Sequence, residues 1–280
     1  MTRLISSIQD LQQYIETYRA EGKTIGFVPT MGALHEGHLS LVKTCKQHCD
    51  ICVVSIFVNP KQFGPNEDFD RYPRTLEADS TLLQEEGVEL IFFPEVSSLY
   101  PDSDVPATQV HVPVLSTLYC GASRPVFFDG ICTVVIRLFN IVKPDSAFFG
   151  EKDFQQVAII RKMVQDLFMP VTIVGCPIIR EDSRLAMSSR NRYLSETDRP
   201  KADSIYKGLS AAKQSFLSGE TQSSKLLEII YTHIHPDITL DYCVIVDAHT
   251  LQEIDTVTSD ARILYAGTLS STRLIDNIGL

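Results

Sequence analysis

The sequence predicts an α/β fold: a doubly wound, Rossmann-like parallel sheet followed by a second, smaller α+β domain. Three observations carry that expectation. Short β-branched runs alternate with helical stretches through the first half, which is the order of βαβ units. The order changes near residue 178 to two helical stretches and then two strands. The chain has 280 residues, 44% of them hydrophobic, enough for one large or two modest domains.

Residues 24–28 form a short apolar strand, and 36–48 a helix with Leu39, Leu41 and Val42 on or near one face. The run 51–58 is almost continuously β-branched and apolar, as a strand buried on both faces requires. Helix 75–86, strand 90–93 and the apolar helix 133–142 follow. Strand 147–149, helix 154–167 and strand 171–174 close the first half. Beyond them, 196–217 and 223–233 read as helices, and 240–246 and 262–266 as strands. The expected division is 1–178 and 179–280. The tail offers little catalytic chemistry of its own.

The charge balance narrows the partners. There are 25 Lys+Arg against 35 Asp+Glu, a formal charge of −10. A negative field repels phosphate backbones and anionic lipid, so neither nucleic acid nor a membrane surface is an expected partner. No apolar run reaches transmembrane length, and no apolar h-region follows Arg3. Seven cysteines, an odd number, read as reduced thiols in a cytoplasmic protein.

The string PTMGALHEGH, residues 29–38, leaves the first strong strand and opens a helix. Ligands of doubly wound sheets sit beyond the carboxyl ends of strands. A helix N-terminus there offers backbone N–H groups and partial positive charge to phosphate. His35 and His38 are three apart and share one face of the first turn. Gly32 and Gly37 let a ligand approach the backbone. Two such histidines alone would read as surface residues; their order after a strand points to nucleotide chemistry. The string is neither a P-loop, having no Lys-Ser/Thr pair, nor a zinc helix, having the wrong spacing.

Three further segments stand at corresponding places. Asn59 and Gln62, in the loop after strand 51–58, supply neutral donors and acceptors suited to hydroxyls and carboxylates; an ordinary turn is the alternative. GEKDFQQ, residues 150–156, follows another strand. There Lys152 offers a point charge to phosphate and Asp153 a helix cap or a Mg²⁺ or ribose contact, with Gln156 one turn on. Ser188, Ser189 and Arg190 lie in a loop at the domain junction, where hydroxyls and a guanidinium can wrap a triphosphate. Cys45-x3-Cys49-x2-Cys52 has the spacing of an iron–sulfur motif. Its cysteines fall at a helix end and inside a buried strand, where thiols behave as small apolar groups.

Taken together, PTMGALHEGH, SIFVNPKQF, YPRT, FFGEKDFQQ and LAMSSRNRYL, in that order, resemble the pantothenate synthetase (pantoate–beta-alanine ligase) family of the HxGH nucleotidyltransferase superfamily. The resemblance implies condensation of (R)-pantoate with β-alanine through a pantoyl adenylate, releasing AMP and pyrophosphate. It implies ATP as substrate, Mg²⁺, a cytoplasmic homodimer, and a nucleotide- and pantoate-binding domain over 1–178 with a lid domain over 179–280. ATP would be held by Met31, Gly32, Ala33, Leu34, His35, Glu36, Gly37 and His38, by Gly150, Glu151, Lys152 and Asp153, by backbone at Ile179, and by Met187, Ser188, Ser189 and Arg190. Gln62, Gln156 and Asn59 would receive pantoate, and Gln62 also β-alanine. His38 would be the catalytic acid, with His35, Lys152 and Arg190 as further catalytic donors. Direct metal ligands are not implied.

Three positions depart from the family pattern. Val126-Phe127-Phe128 stands for Gly-His-Phe, Cys120 for a common acidic residue, and Ser183-Arg184 for Asp-Gly. Two alternatives follow from the same motifs. One is a nucleotidyltransferase or aminoacyl-tRNA synthetase of the superfamily; the acidic charge argues against a tRNA partner. The other is an ATP-sensing module without turnover.

Overall fold

The computed structural model describes residues 2–65, 67–101 and 108–280. The chain separates into two compact units. The first comprises Met1–Glu151 and Gln156–Pro177, and the second Lys152–Gln155 and Ile178–Leu280.

The first unit is a six-stranded, all-parallel sheet. Its strands are β1 (Arg3–Ile5), β2 (Ile25–Thr30), β3 (Ile51–Ile56), β4 (Leu90–Phe92), β5 (Ser146–Gly150) and β6 (Thr172–Cys176). Their spatial order is β1-β4-β3-β2-β5-β6. β2 pairs with β3 from Ile25↔Ile51 to Thr30↔Ile56, and with β5 at Gly26↔Ser146 and Phe27↔Ala147. The chain therefore winds outward in both directions from β2. The crevice at such a reversal of strand order is where doubly wound sheets take ligands.

Both faces of the sheet are covered. The helices are α1 (Ile8–Ala20), α2 (Glu36–His48), α3 (Leu76–Glu85), α4 (Val96–Leu99), α5 (Cys120–Ser123), α6 (Phe127–Val142) and α7 (Phe154–Asp166). Val28, Val54, Ile91 and Phe148 share a core with Leu39, Val42 and Cys45 of α2 and Leu83 of α3. On the opposite face Phe27 meets Phe139 of α6 with ring centroids 6.3 Å apart, and Phe139 meets Phe149 at 6.4 Å. Every residue of β3 is buried, which is why its sequence shows no alternation.

The second unit carries α8 (Arg199–Leu217), α9 (Ser223–His233) and the antiparallel meander β7 (Ile238–Asp247), β8 (Ala261–Leu269) and β9 (Thr272–Gly279). Ile205, Leu209, Leu226 and Ile230 pack against Ile245, Ile263 and Tyr265 as a core of its own.

The expected α/β class, with a smaller antiparallel α+β part, is present. Some elements lie outside the sequence-based expectation. β1 has only three residues, too few for a pattern. In α1 only Leu11 and Ile15 are buried, although Ser7 caps it by accepting the Asp10 N–H at 3.3 Å. α6 begins at Phe127, six residues before its expected start, because the helix continues through Gly130. β9 is a strand that the sequence reading does not contain.

Candidate active site

The corner after β2 is built around a buried carboxyl group. Thr30 hands its hydroxyl hydrogen to the Ser55 carbonyl at 2.7 Å and accepts the Gly32 N–H at 3.2 Å. Gly32 (φ +82°) and Ala33 (φ +52°) both lie in the left-handed region. The Ala33 and Leu34 N–H groups donate to Asp79 of α3, at 2.9 Å to Oδ2 and 2.8 Å to Oδ1. A Cβ on residue 32 would sit 2.9 Å from Asp79 Oδ2 and 3.1 Å from Ile56 Cγ2, so glycine is required there on steric and backbone grounds.

His35 is the N-cap of α2. Its Nδ1 accepts the Gly37 N–H at 3.1 Å. An Nδ1 that accepts is unprotonated, so the ring hydrogen sits on Nε2, the nitrogen that can donate to an anion. The rings of His35 and His38 lie 4.1 Å apart between centroids, on one face as their spacing requires. Ala33 and Leu34 are buried, whereas Glu36 is exposed and faces Lys43 at 3.8 Å. The expectation that this corner offers its backbone N–H groups to phosphate needs refining. Those of Ala33, Leu34 and Gly37 have internal acceptors, so these three are not offered to a ligand in this conformation.

The loop after β3 is a polar relay. The Asn59 amide donates to Gln62 Oε1 at 3.1 Å and to the Gly130 carbonyl at 3.0 Å. Asn59 Oδ1 accepts from Tyr100 O–H at 2.9 Å and from the Lys61 N–H at 3.3 Å. Burial pushes the Tyr100 phenol up to about 12, which keeps it a donor at neutral pH. Gln62 Nε2 donates to Met31 Sδ at 2.8 Å, linking the loops after β3 and β2. Asn59 is 1% exposed and Gln62 7%. Gly130 admits the turn against α6: a Cβ there would lie 2.3 Å from the Lys61 carbonyl oxygen.

β5 ends at Gly150, beside the end of β2, and residues 151–153 form a 3-10 turn that runs into α7. Glu151 and Gln156 belong to the first unit, Lys152 and Asp153 to the second. Lys152 Nζ lies 3.8 Å from Asp153 Oδ2. Its backbone is fixed within the second unit, because Asn277 Nδ2 of β9 donates to the Lys152 carbonyl at 2.9 Å. Asn277 Oδ1 in turn accepts from Arg262 Nη1 at 2.7 Å, and the Arg262 guanidinium covers the Phe154 ring at 3.9 Å.

Residues 179–190, also in the second unit, double back on themselves. Met187 N–H donates to the Ile179 carbonyl at 2.9 Å, and Glu181 N–H to the Leu185 carbonyl at 2.9 Å. Ser188 caps the turn Ser189–Tyr193 by accepting the Arg190 N–H at 3.3 Å. Asn191, 3% exposed, ties that turn to Glu181 Oε1 at 2.7 Å and the Ala186 carbonyl at 3.0 Å. Arg180 reaches β9 and pairs bidentately with buried Asp276, at 2.6 and 2.9 Å. Sequence reasoning missed Asp79, Asp276 and Asn277.

The departures from the family pattern have local accounts. Phe127 lies under the Arg124 guanidinium at 3.5 Å, and Arg124 Nε donates to Glu67 Oε1 at 2.6 Å. Cys120 is buried. Arg184 takes φ +77°, a conformation that favours the glycine it replaces.

The thiols of the Cys45–Cys49–Cys52 stretch have the character of packing groups. A hydrogen bond with Cys45 and burial hold the Cys52 thiol above its ordinary value, and burial pushes Cys49 up to about 11. Burial likewise raises Cys132 in α6 and Cys243 in β7, each to about 12. Among the described residues no group of three His, Cys, Asp or Glu side chains is placed to hold a metal ion. No helix among them is long and apolar enough to cross a membrane.

The family model for pantoate-beta-alanine ligase matches residues 3–279. A pantothenate synthetase of Caldicellulosiruptor saccharolyticus is 48% identical over 277 residues, 98% of each chain. The crystal structure of pantothenate synthetase from Thermus thermophilus superposes with a TM-score of 0.93 at 43% identity, covering 99% of both chains. Pantoate-beta-alanine ligase from Francisella tularensis, solved in complex with β-γ ATP and β-alanine, is 34% identical. Its TM-score is 0.80, and the match covers 100% of this chain and 98% of that one.

Proposed function

Because the chain belongs to the pantoate–beta-alanine ligase family over nearly its whole length, we propose that it joins pantoate to β-alanine by way of a pantoyl adenylate. The carrying observation is the paired imidazoles of His35 and His38 at the start of α2, directly after the central strand of the sheet.

In the first step a pantoate carboxylate oxygen attacks the α-phosphorus of ATP, and the bond to the β-phosphate oxygen breaks. Pyrophosphate leaves with the electron pair. In the second, the unprotonated amine of β-alanine attacks the acyl carbon, AMP leaves, and the amine loses a proton. Both steps concentrate negative charge on oxygen, so catalysis is chiefly positioning and electrostatic stabilisation. His38 is the catalytic acid toward the leaving phosphates, and His35 donates from Nε2. Lys152, Ser188, Ser189 and Arg190 supply the remaining donors, with Met31, Gly32, Gly150 and Asp153 lining the nucleotide. Gln62 gives up its Met31 contact to receive pantoate and then β-alanine, and Gln156 is the second pantoate ligand. Asn59, with its polar atoms engaged inside the protein, serves by fixing Gln62.

Mg²⁺, when bound with ATP, would supply neutralisation of the charge on its phosphates. The protein works as a cytoplasmic homodimer, for which the family and the seven free cysteines argue.

The test measures AMP and pyrophosphate from ATP with pantoate and β-alanine omitted in turn. Pantoate and ATP alone should release about one pyrophosphate per site, and AMP should turn over only with β-alanine present. Formation of ADP and phosphate instead would replace the adenylate with an acyl phosphate. ATP binding with no pyrophosphate release would identify an ATP sensor.

A further inference from the structure

Resting on that reading, we propose that Asp79 is a positioning residue for adenylation: it holds residues 32–34 in the conformation that aims His35 and His38. Asp79 is 2% exposed, on the inner face of α3 with Leu83 one turn on. Its described hydrogen bonds come from two backbone N–H groups and one hydroxyl: Ala33 at 2.9 Å, Leu34 at 2.8 Å and Thr75 Oγ1 at 3.1 Å. A carboxyl group buried this deeply is retained only when its oxygens are satisfied. All of the backbone donation comes from one loop.

That loop needs holding. An alanine at φ +52° is disfavoured by its Cβ and persists only where its surroundings over-determine it. The Ala33 and Leu34 N–H groups converge on the two oxygens of Asp79, which fixes the orientation of both peptide planes. His35 follows directly as the α2 cap, and its ring faces His38 at 4.1 Å. Rotation of the 33–34 peptide would re-aim both imidazoles. An amide at position 79 offers one oxygen where two N–H donors converge, and sets its own NH₂ against the second.

The test is Asp79→Asn in the full chain, followed by single-turnover pyrophosphate release and by the KM values of all three substrates. The expected result is a roughly 10–100-fold lower adenylation rate, the scale of one buried charged acceptor lost, with the KM for β-alanine unchanged. In a His38→Ala background the further loss should shrink to about twofold, because residues acting as one unit are non-additive. A folded Asp79→Asn protein with the wild-type rate overturns the proposal, as does a loss undiminished in the His38→Ala background. Should Asp79→Asn not fold, Thr75→Val removes only the hydroxyl donor. A loss of roughly 2–5-fold in the same rate supports the role, and an unchanged rate overturns it. The two readings fail separately: a wild-type protein that releases no pyrophosphate sinks the adenylate, whereas an active wild type with an unaffected Asp79→Asn sinks only this assignment.

Discussion

The corner after β2 and the corner after β5 begin alike, at the carboxyl ends of two paired parallel strands, but they are secured in opposite ways. The first is held from nearby in the sheet, by Asp79 of the adjoining helix α3 accepting two loop N–H groups. The second gives up its lysine to another scaffold: Lys152 clusters with the second unit, and its carbonyl is held by Asn277, 125 residues along the chain. The neighbouring side chain on β9, Asp276, anchors Arg180 at the base of the serine–arginine segment. β9 therefore sets the backbone at Lys152 and the base of the segment that carries Ser188, Ser189 and Arg190.

That contrast can be broken experimentally. Asp276→Ala strands a guanidinium against a buried site and should cost about 3–5 kcal/mol, read as an early denaturant transition. If β9 is the scaffold of these segments, that transition is accompanied by loss of tryptic resistance in residues 178–280 and not in the parallel sheet. His38→Ala, by contrast, should leave the melting temperature within a few degrees while raising the adenylation barrier by about 2.7–4 kcal/mol in single-turnover assays. Asn277→Ala removes the partner of the Lys152 carbonyl and of Arg262 together, for about 1–3 kcal/mol of stability. Its kcat should fall as well, and a normal kcat would show that Lys152 needs no help from β9. Smallest is Arg184→Gly: relief of a left-handed backbone, about 1–2 kcal/mol, exceeds the added freedom of the unfolded chain, about 0.4–1 kcal/mol, so chemical denaturation should show a net gain of at most about 1 kcal/mol, with activity unchanged.

The parts that the sequence made legible are those written in local pattern. β3 is an unbroken apolar run, and the PTMGALHEGH string announces its own strand-to-helix corner. The meeting of the His35 and His38 rings follows from a spacing of three. The remainder depends on distant partners. Asp79 lies in a stretch, 76–85, whose other acidic residues, Glu77 and Glu85, are exposed, so its local pattern is that of surface charge. The available signal was its place four residues before Leu83, on the buried stripe. Asp276 and Asn277 give no such signal. They lie side by side on an antiparallel strand, both buried, and their significance appears only when Arg180 and Lys152 arrive from elsewhere. Tyr100 and Gly130 were invisible for the same reason: each acts on the Asn59–Gln62 turn from a remote stretch of chain.

The raised thiols also make the protein its own unfolding reporter. Cys132 and Cys243, one in each unit and both pushed up to about 12, hold almost no thiolate at neutral pH, and alkylating reagents attack thiolate. Reaction at either sulfur thus waits until its surroundings open. Under rising denaturant, mass spectrometry of the two modified peptides gives the order in which the parallel sheet and the antiparallel meander come apart, with no substitution introduced.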